Sequence, residues 1–344
     1  MIQHKLVIAV TLGIATLGGC VMANKPVNLE DASQKSEWEL VWADEFNGPN
    51  IDSTKWSFEQ NCHGGGNHEQ QCYTNKADNA FQANGMLNIV AKRETFTGPA
   101  QNGDTENTAT LPYTSARLRT INKGDWQYGR FEIRAKLPQG QGSWPAIWML
   151  PTDWVYGGWA ASGEIDIMEA VNLKTPSDAE GVSPETLESR VHGTLHYGGS
   201  APNNVYTGTP YVFPPEQNPA DVFHIYALEW EKGEIRWYID GQHYATQRQN
   251  GWYSQFTENG KLMNGAEDAP FNQRFHMLLN LAVGGTWSAK VNQKGIDESI
   301  FPQSMLIDYV RVYECSANPE TGRGCAQINA NAKLVKGKTP SNTD

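Results

Sequence analysis

The chain reads as an all-β protein, a β-sandwich of two stacked antiparallel sheets. Three observations lead there. Strand-length segments recur between turns rich in glycine and proline (33 Gly and 18 Pro in 344 residues). Several of those segments alternate apolar and polar residues with the period of two that a half-buried strand requires. Convincing helical periodicity is almost absent, which argues for sheet on sheet rather than βαβ units.

The elements follow in order. Residues 38–42, Trp-Glu-Leu-Val-Trp, alternate and open the folded region. Further strands are expected at 86–92, 131–137 and 190–196. In the second of these Phe131, Ile133, Ala135 and Leu137 alternate with Glu132, Arg134 and Lys136. From 222 to 247 the chain reads as a meander. It turns at Lys232-Gly233 into Glu234–Ile239, and Asp240-Gly241 is a strong two-residue hairpin signal. Strands at 274–283 and 305–313 complete the set, and 184–189 is expected to form one short helical turn. The reading is one folded domain, 37–325, preceded by a polar linker, 21–36. A tail, 326–344, is expected to be disordered from its Asn, Ala, Lys, Ser and Thr content.

Residues 1–20 read as a targeting segment. His4 and Lys5 precede a twelve-residue apolar stretch, too short to span a bilayer as a mature helix. It ends in Leu17-Gly18-Gly19-Cys20, which resembles the lipobox of bacterial lipoprotein signals. That resemblance implies cleavage before Cys20 and a lipid anchor on its sulfur. Val21 is not the aspartate associated with inner-membrane retention. The expectation is therefore an outer-membrane or cell-surface lipoprotein, otherwise a periplasmic or secreted protein. Cys62 and Cys72 lie ten apart, as do Cys315 and Cys325. Disulfides within these pairs would suit an oxidising compartment, each closing a loop worth roughly 3 kcal/mol. Sequence leaves the connectivity open, and no CxxC or His/Cys cluster suggests zinc. The formal charge of −11, with scattered Lys and Arg, excludes a nucleic-acid partner and a basic groove for strongly anionic ligands. A monomer is expected.

The chemistry lies in Gly163-Glu164-Ile165-Asp166-Ile167-Met168-Glu169-Ala170. On an extended strand Glu164 and Asp166 share a face while Ile165 and Ile167 point into a core. Glu169 breaks that rhythm, and burying it unpaired would cost several kcal/mol. A one-residue β-bulge near Met168 returns it to the polar face. Three acids so close cannot all ionise, so one stays protonated, as a general acid requires. Paired carboxylates of this kind serve glycoside hydrolysis, with retaining or inverting outcome left open by strand spacing alone. A solvated acidic face and a calcium cluster are the rival readings. Trp144, Trp148, Trp154, Tyr156 and Trp159 lie just upstream, and such aromatics stack on sugar rings, which a metal site does not need.

Several motifs in one order give a resemblance to bacterial glycoside hydrolases of family 16, in the laminarinase (endo-1,3-β-glucanase) branch, across about residues 38–314. They are Trp42-Ala43-Asp44-Glu45-Phe46-Asn47-Gly48, Tyr128-Gly129-Arg130-Phe131-Glu132, residues 144–151, Glu164-Ile165-Asp166-Ile167-Met168-Glu169, Asn280-Leu281-Ala282-Val283-Gly284-Gly285-Thr286-Trp287, and Asp308-Tyr309-Val310-Arg311-Val312-Tyr313. The resemblance implies a jelly roll of the concanavalin A-like type with a glucan cleft on its concave sheet. It implies retaining hydrolysis with Glu164 as nucleophile, Asp166 assisting and Glu169 as acid/base. Trp144 and Trp148 would floor the cleft, with Trp159 flanking the nucleophile. His196 would bond Asp166 or the sugar. Asn67, Glu69 and Arg117 match positions near the non-reducing-side subsites, and Trp287 lies toward a cleft end. No catalytic cofactor is implied. A structural Ca²⁺ is, held by main-chain carbonyls of Glu45 and Gly85 and the carboxylate of Asp308.

The chain departs from the family pattern at Trp159-Ala160-Ala161-Ser162-Gly163, at Ser288-Ala289, and in insertions near 174–188 and 256–270. These departures blur the choice among linear 1,3-glucan, mixed-linkage glucan and other polymers. The scarcity of clustered cations favours a neutral glucan over sulfated galactans. A non-catalytic glucan-binding lipoprotein and a glucan transglycosylase are the competing classes.

Overall fold

The computed structural model describes residues 37–340. The expected signal peptide with Cys20, the linker 21–36 and the last four residues lie outside that range.

Eight strands form the inner sheet, seven of them in line: β1 (Ser57–Phe58), β2 (Arg117–Arg119), β3 (Ser143–Pro151), β4 (Glu164–Glu169), β5 (Arg190–Gly198), β6 (Asn204–Val212) and β7 (Phe275–Val283). Their spatial order is β6-β5-β4-β3-β7-β2-β1, with Asp125–Trp126 pairing on β7. The outer sheet runs Lys333–Leu334, Gln242–Arg248, Glu234–Ile239, His224–Glu231, Gly129–Lys136, Gln303–Cys315, Met86–Ala91 and Ala80–Ala83. Trp38–Asp44 adds to Gln303–Cys315. Strands distant in sequence thus lie side by side, as the sandwich reading requires.

Local pattern explains the layers. Along Gly129–Lys136 every second residue is buried, and Phe131, Ile133 and Ala135 fill the space between the sheets. β4 contributes Ile165, Ile167 and Met168 to that core. Each such side chain, once buried, is worth about 1.5–3 kcal/mol. Trp237 packs from the outer sheet and donates its indole N–H to the main-chain carbonyl of Asp166 (2.8 Å). This bond anchors the middle of β4 from below. Disulfides Cys62–Cys72 and Cys315–Cys325 close the two ten-residue loops.

Three segments differ from expectation. Residues 184–189 form no helical turn; Leu187 makes an isolated bridge to Pro176 instead. β6 carries Gly208 and Pro210, which hide it from propensity, yet an edge strand tolerates both. The tail expected to be disordered from 326 is placed through residue 340. Lys333–Leu334 pairs in parallel with Ala245–Thr246, and Val335 is buried with its N–H on Thr246 O. Its polar composition hid the reason: Gln242–Arg248 would otherwise be a bare sheet edge with unmet backbone groups.

Register also gathers the expected calcium ligands. Leu87 stands opposite Ile307 and Asp44 opposite Val310, so Glu45, Gly85 and Asp308 come to the gap in the outer sheet where Trp38–Asp44 ends and Met86–Ala91 begins, beside the middle of Gln303–Cys315.

Candidate active site

The ladders on either side of β4 count its residues differently from its neighbours. Against β3, Ala146 is opposite Glu169 and Trp148 opposite Asp166. Against β5, Thr194 is opposite Asp166 and His192 opposite Glu169. Three steps on β4 match two on each partner, which is a one-residue bulge at Ile167–Met168. Both of those side chains are buried. The bulge puts Glu164, Asp166 and Glu169 on one face, with Trp144 and Trp148 to one side and His192 and His196 to the other.

Each outer carboxylate is aimed by an indole. Trp159 Nε1 donates to Glu164 Oε2 at 2.8 Å, and Trp144 Nε1 donates to Glu169 Oε1 at 3.0 Å. His196 Nε2 sits between the other two acids, 3.5 Å from Glu164 Oε1 and 3.3 Å from Asp166 Oδ2. Asp166 is almost wholly buried.

Environment separates the roles. Burial, then the Asp166 charge, pushes the Glu164 carboxyl up to about 7, against the pull of His196 and the Trp159 N–H. The same two causes hold Glu169 well above the usual carboxylate range, and there the indole of Trp144 is a smaller counterweight. Burial would lower His196, but Glu164, Asp166 and Glu169 outweigh it and raise the imidazole to about 10. His192, beside Glu169 in register, is pushed down to about 4 by burial and Arg190. Near neutral pH the face therefore holds a cationic His196, a neutral His192, a Glu169 whose hold on its proton is strengthened and a Glu164 whose midpoint lies at about 7. That is the division of labour between an acid and a nucleophile. Among the described residues, Glu164, Asp166 and His196 are the one group whose donor atoms converge as a metal site would, within 4.8 Å. The imidazolium already supplies the positive charge there, which weakens the calcium reading of the acidic strand.

The flanking residues divide into two sets. Trp148 Nε1 donates to Asn280 Oδ1 (2.6 Å), and Asn280 Nδ2 donates to Tyr73 OH (3.1 Å). Arg117 Nη2 reaches the same phenol at 3.3 Å while Nη1 pairs with Glu59. Glu69 is buried and accepts from Gln71 (2.7 Å), Asn67 (3.3 Å) and Tyr73 (3.4 Å). Asn67, Glu69 and Arg117 are thus joined to β3 and β7 through Tyr73. Trp287 packs edge-on against Trp144 (5.3 Å between centroids) and against His192 (5.1 Å). Sequence reasoning missed Tyr73, Glu59 and His192. A phenol becomes a junction only when three strands converge on it, and no local spacing announces that. Asn280 lay inside a quoted motif without a role; its place opposite both Ala146 and Arg117 gives it one.

A family model described as beta-porphyranase A-D, GH16 domain, matches residues 38–315. Glucan endo-1,3-beta-glucosidase A1 of Niallia circulans is 39% identical over 80% of this chain, and the chain spans 38% of that protein's length. Beta-glucanase of Rhodothermus marinus is 40% identical over 87% of this chain and 92% of its own. The solved structure of the laminarinase from Rhodothermus marinus superposes with a TM-score of 0.63 at 39% identity, covering 81% of this chain and 98% of that one.

Proposed function

We propose that this chain, which belongs to glycoside hydrolase family 16, cuts β-1,3-glucan within the polymer by retaining double displacement. The observation that carries the reading is the bulged strand that sets Glu164, Asp166 and Glu169 on one face, each outer acid aimed by an indole. Glu169 gives its proton to the glycosidic oxygen as Glu164 attacks the anomeric carbon, so the bond to the leaving chain breaks and an ester to Glu164 forms. Glu169, now a carboxylate, takes a proton from water as that water opens the ester, restoring both groups. Asp166 and His196 set the charge around Glu164. Polar and aromatic groups extend on both sides of β4, from Arg117 on β2 to Tyr206 on β6, which suits attack inside a chain.

The finer choice of a neutral glucan rests on the state of the nearby cations. Arg117 and Arg119 are both ion-paired to Glu59, and His192 is neutral. Each guanidinium already engages that carboxylate through Nη1, and another cation on this side of the sheet, Lys338, stands over the Tyr206 ring. New reducing ends from laminarin, lichenan, curdlan, agarose and carrageenan would rank the substrates. Glu164→Gln and Glu169→Gln are each expected to abolish release from the preferred one. Sugar release at wild-type rates in both variants would end the proposal.

Two further readings come with it. The calcium site at Glu45, Gly85 and Asp308 is supported by their register and by Asp308 itself, where Arg134 engages Oδ2 alone. A Cβ on Gly85 would crowd Asn47 Oδ1 at 3.3 Å, so glycine keeps that corner open. An ion there would staple three segments of the outer sheet, and a chelator should lower the melting temperature. Lipidation at Cys20 is supported by the lipobox-like sequence; Cys20→Ala should release the protein from membranes.

A further inference from the structure

We propose that Tyr206, braced through Lys338 by the C-terminal segment, is a stacking platform for a sugar ring on the reducing-end side of the cleaved bond. The inference rests on the glucanase reading above and names a subsite that reading does not contain.

β6 is the edge of the inner sheet, and Tyr206 stands opposite His196. Its side chain therefore shares the face that carries the three carboxylates. Farther along the same face β6 offers Gly208 and Pro210, opposite Thr194 and His192. Gly208 has no room for more, since a Cβ would lie 2.3 Å from the Gly193 carbonyl. The rim is thus small in line with Asp166 and Glu169 and bulky in line with Glu164, where Tyr206 stands.

The phenol ring is held from two directions. Its centroid lies 5.6 Å from the His196 ring at a 35° tilt, and Lys338 Nζ lies 5.7 Å from it. Even so, 64% of the residue stays exposed. A large ring that is fixed but left open presents an apolar face and a polar tip, which is what a pyranose needs. Lys338 is itself fixed: its main-chain N–H meets Tyr197 OH (2.8 Å) and Gly251 O (3.2 Å). Its ammonium adds donors for ring hydroxyls.

Position sets the subsite. Tyr206 is two strand spacings from β4, roughly 10 Å, farther than the ring that directly follows the bond. Arg117 lies on the opposite side of β4, so assigning Asn67, Glu69 and Arg117 to the non-reducing side leaves Tyr206 to the reducing side.

Cleavage-site mapping on a reducing-end-labelled β-1,3-linked glucose hexamer tests this. In Tyr206→Ala, the fraction of cuts leaving two or more units on the labelled end is expected to fall roughly three- to tenfold. Tyr206→Phe should keep the wild-type pattern, and Lys338→Ala should shift it the same way by less. Unchanged cut positions in Tyr206→Ala would overturn the platform. No cleavage by the wild-type enzyme would overturn the glucanase reading beneath it.

Discussion

His196→Gln isolates the charge that keeps Glu164 usable as a nucleophile. In the folded protein the imidazolium stands 3.5 Å from Glu164 Oε1. At an effective dielectric of about 20, a unit charge at that distance is worth roughly 5 kcal/mol to the carboxylate. At about 1.4 kcal/mol per unit this is about 3.5 pKa units. Both side chains keep some solvent contact, 20% for His196 and 14% for Glu164, so water entering the vacated space returns more than half. The midpoint of Glu164 is then expected to rise from about 7 by roughly 1 to 2 units. Because the nucleophile acts ionised, the acidic limb of kcat/KM must move to higher pH by the same amount. Rates at pH 6 would fall about 10- to 100-fold and recover in alkali. The assay is initial-rate hydrolysis of laminarin across pH 4 to 10 for both proteins. An acidic limb that stays within a few tenths of a unit, with rates depressed uniformly, would refute the electrostatic account and leave His196 a packing residue.

Other perturbations follow from the same geometry. A carboxyl whose folded pKa lies above its unfolded one binds more protons when folded, so its contribution falls as pH climbs from 4.5 to about 7. Glu164→Gln should therefore stabilise the protein at pH 8 by up to about 3 kcal/mol, with no gain at pH 4, as read by denaturant melts. Gly163 has φ +86°, and a Cβ there would sit 2.9 Å from Pro270 Cγ; Gly163→Ala should cost about 2–4 kcal/mol and lower the melting temperature. Removing the Cys315–Cys325 disulfide frees the end of the long outer strand. A loss of roughly 3 kcal/mol is expected, measured as a lower denaturation midpoint in the Cys315→Ser, Cys325→Ser double variant without reductant.

The strands that sequence marked were those with clean alternation, flanking turns or a long apolar run. Gly129–Lys136 is the case in point for alternation, while Glu234–Ile239 was bracketed by its turns and Phe275–Val283 stood out as an apolar run buried on both faces; all three lie within two residues of their expected bounds. β3 was visible as an aromatic motif but not as a strand, because Pro145 and Pro151 interrupt it. Pro145 is tolerated one residue beyond Ala146, the last pair with the catalytic strand. The bulge itself was legible, since the conflict between Glu169 and a period of two has one cheap resolution. His196 beside Asp166 was legible as well. The Tyr73 junction was not, because it joins residues 207 positions apart through side-chain hydroxyl chemistry that leaves no periodic trace. The ordered tail was missed for a related reason: composition reports what a segment can bury, and here the sheet edge, not the segment, supplied the need.

One extra residue between Asp166 and Glu169 has an evolutionary reading. Remove Ile167 or Met168, and the ladder opposite Thr194 and His192 would run without a slip, leaving the last carboxylate two positions from Asp166 and so still on its face. A relative one codon shorter here would keep all three acids aimed outward. The danger lies in the opposite change: iron out the slip with both residues retained, and Glu169 turns inward while every functional letter survives.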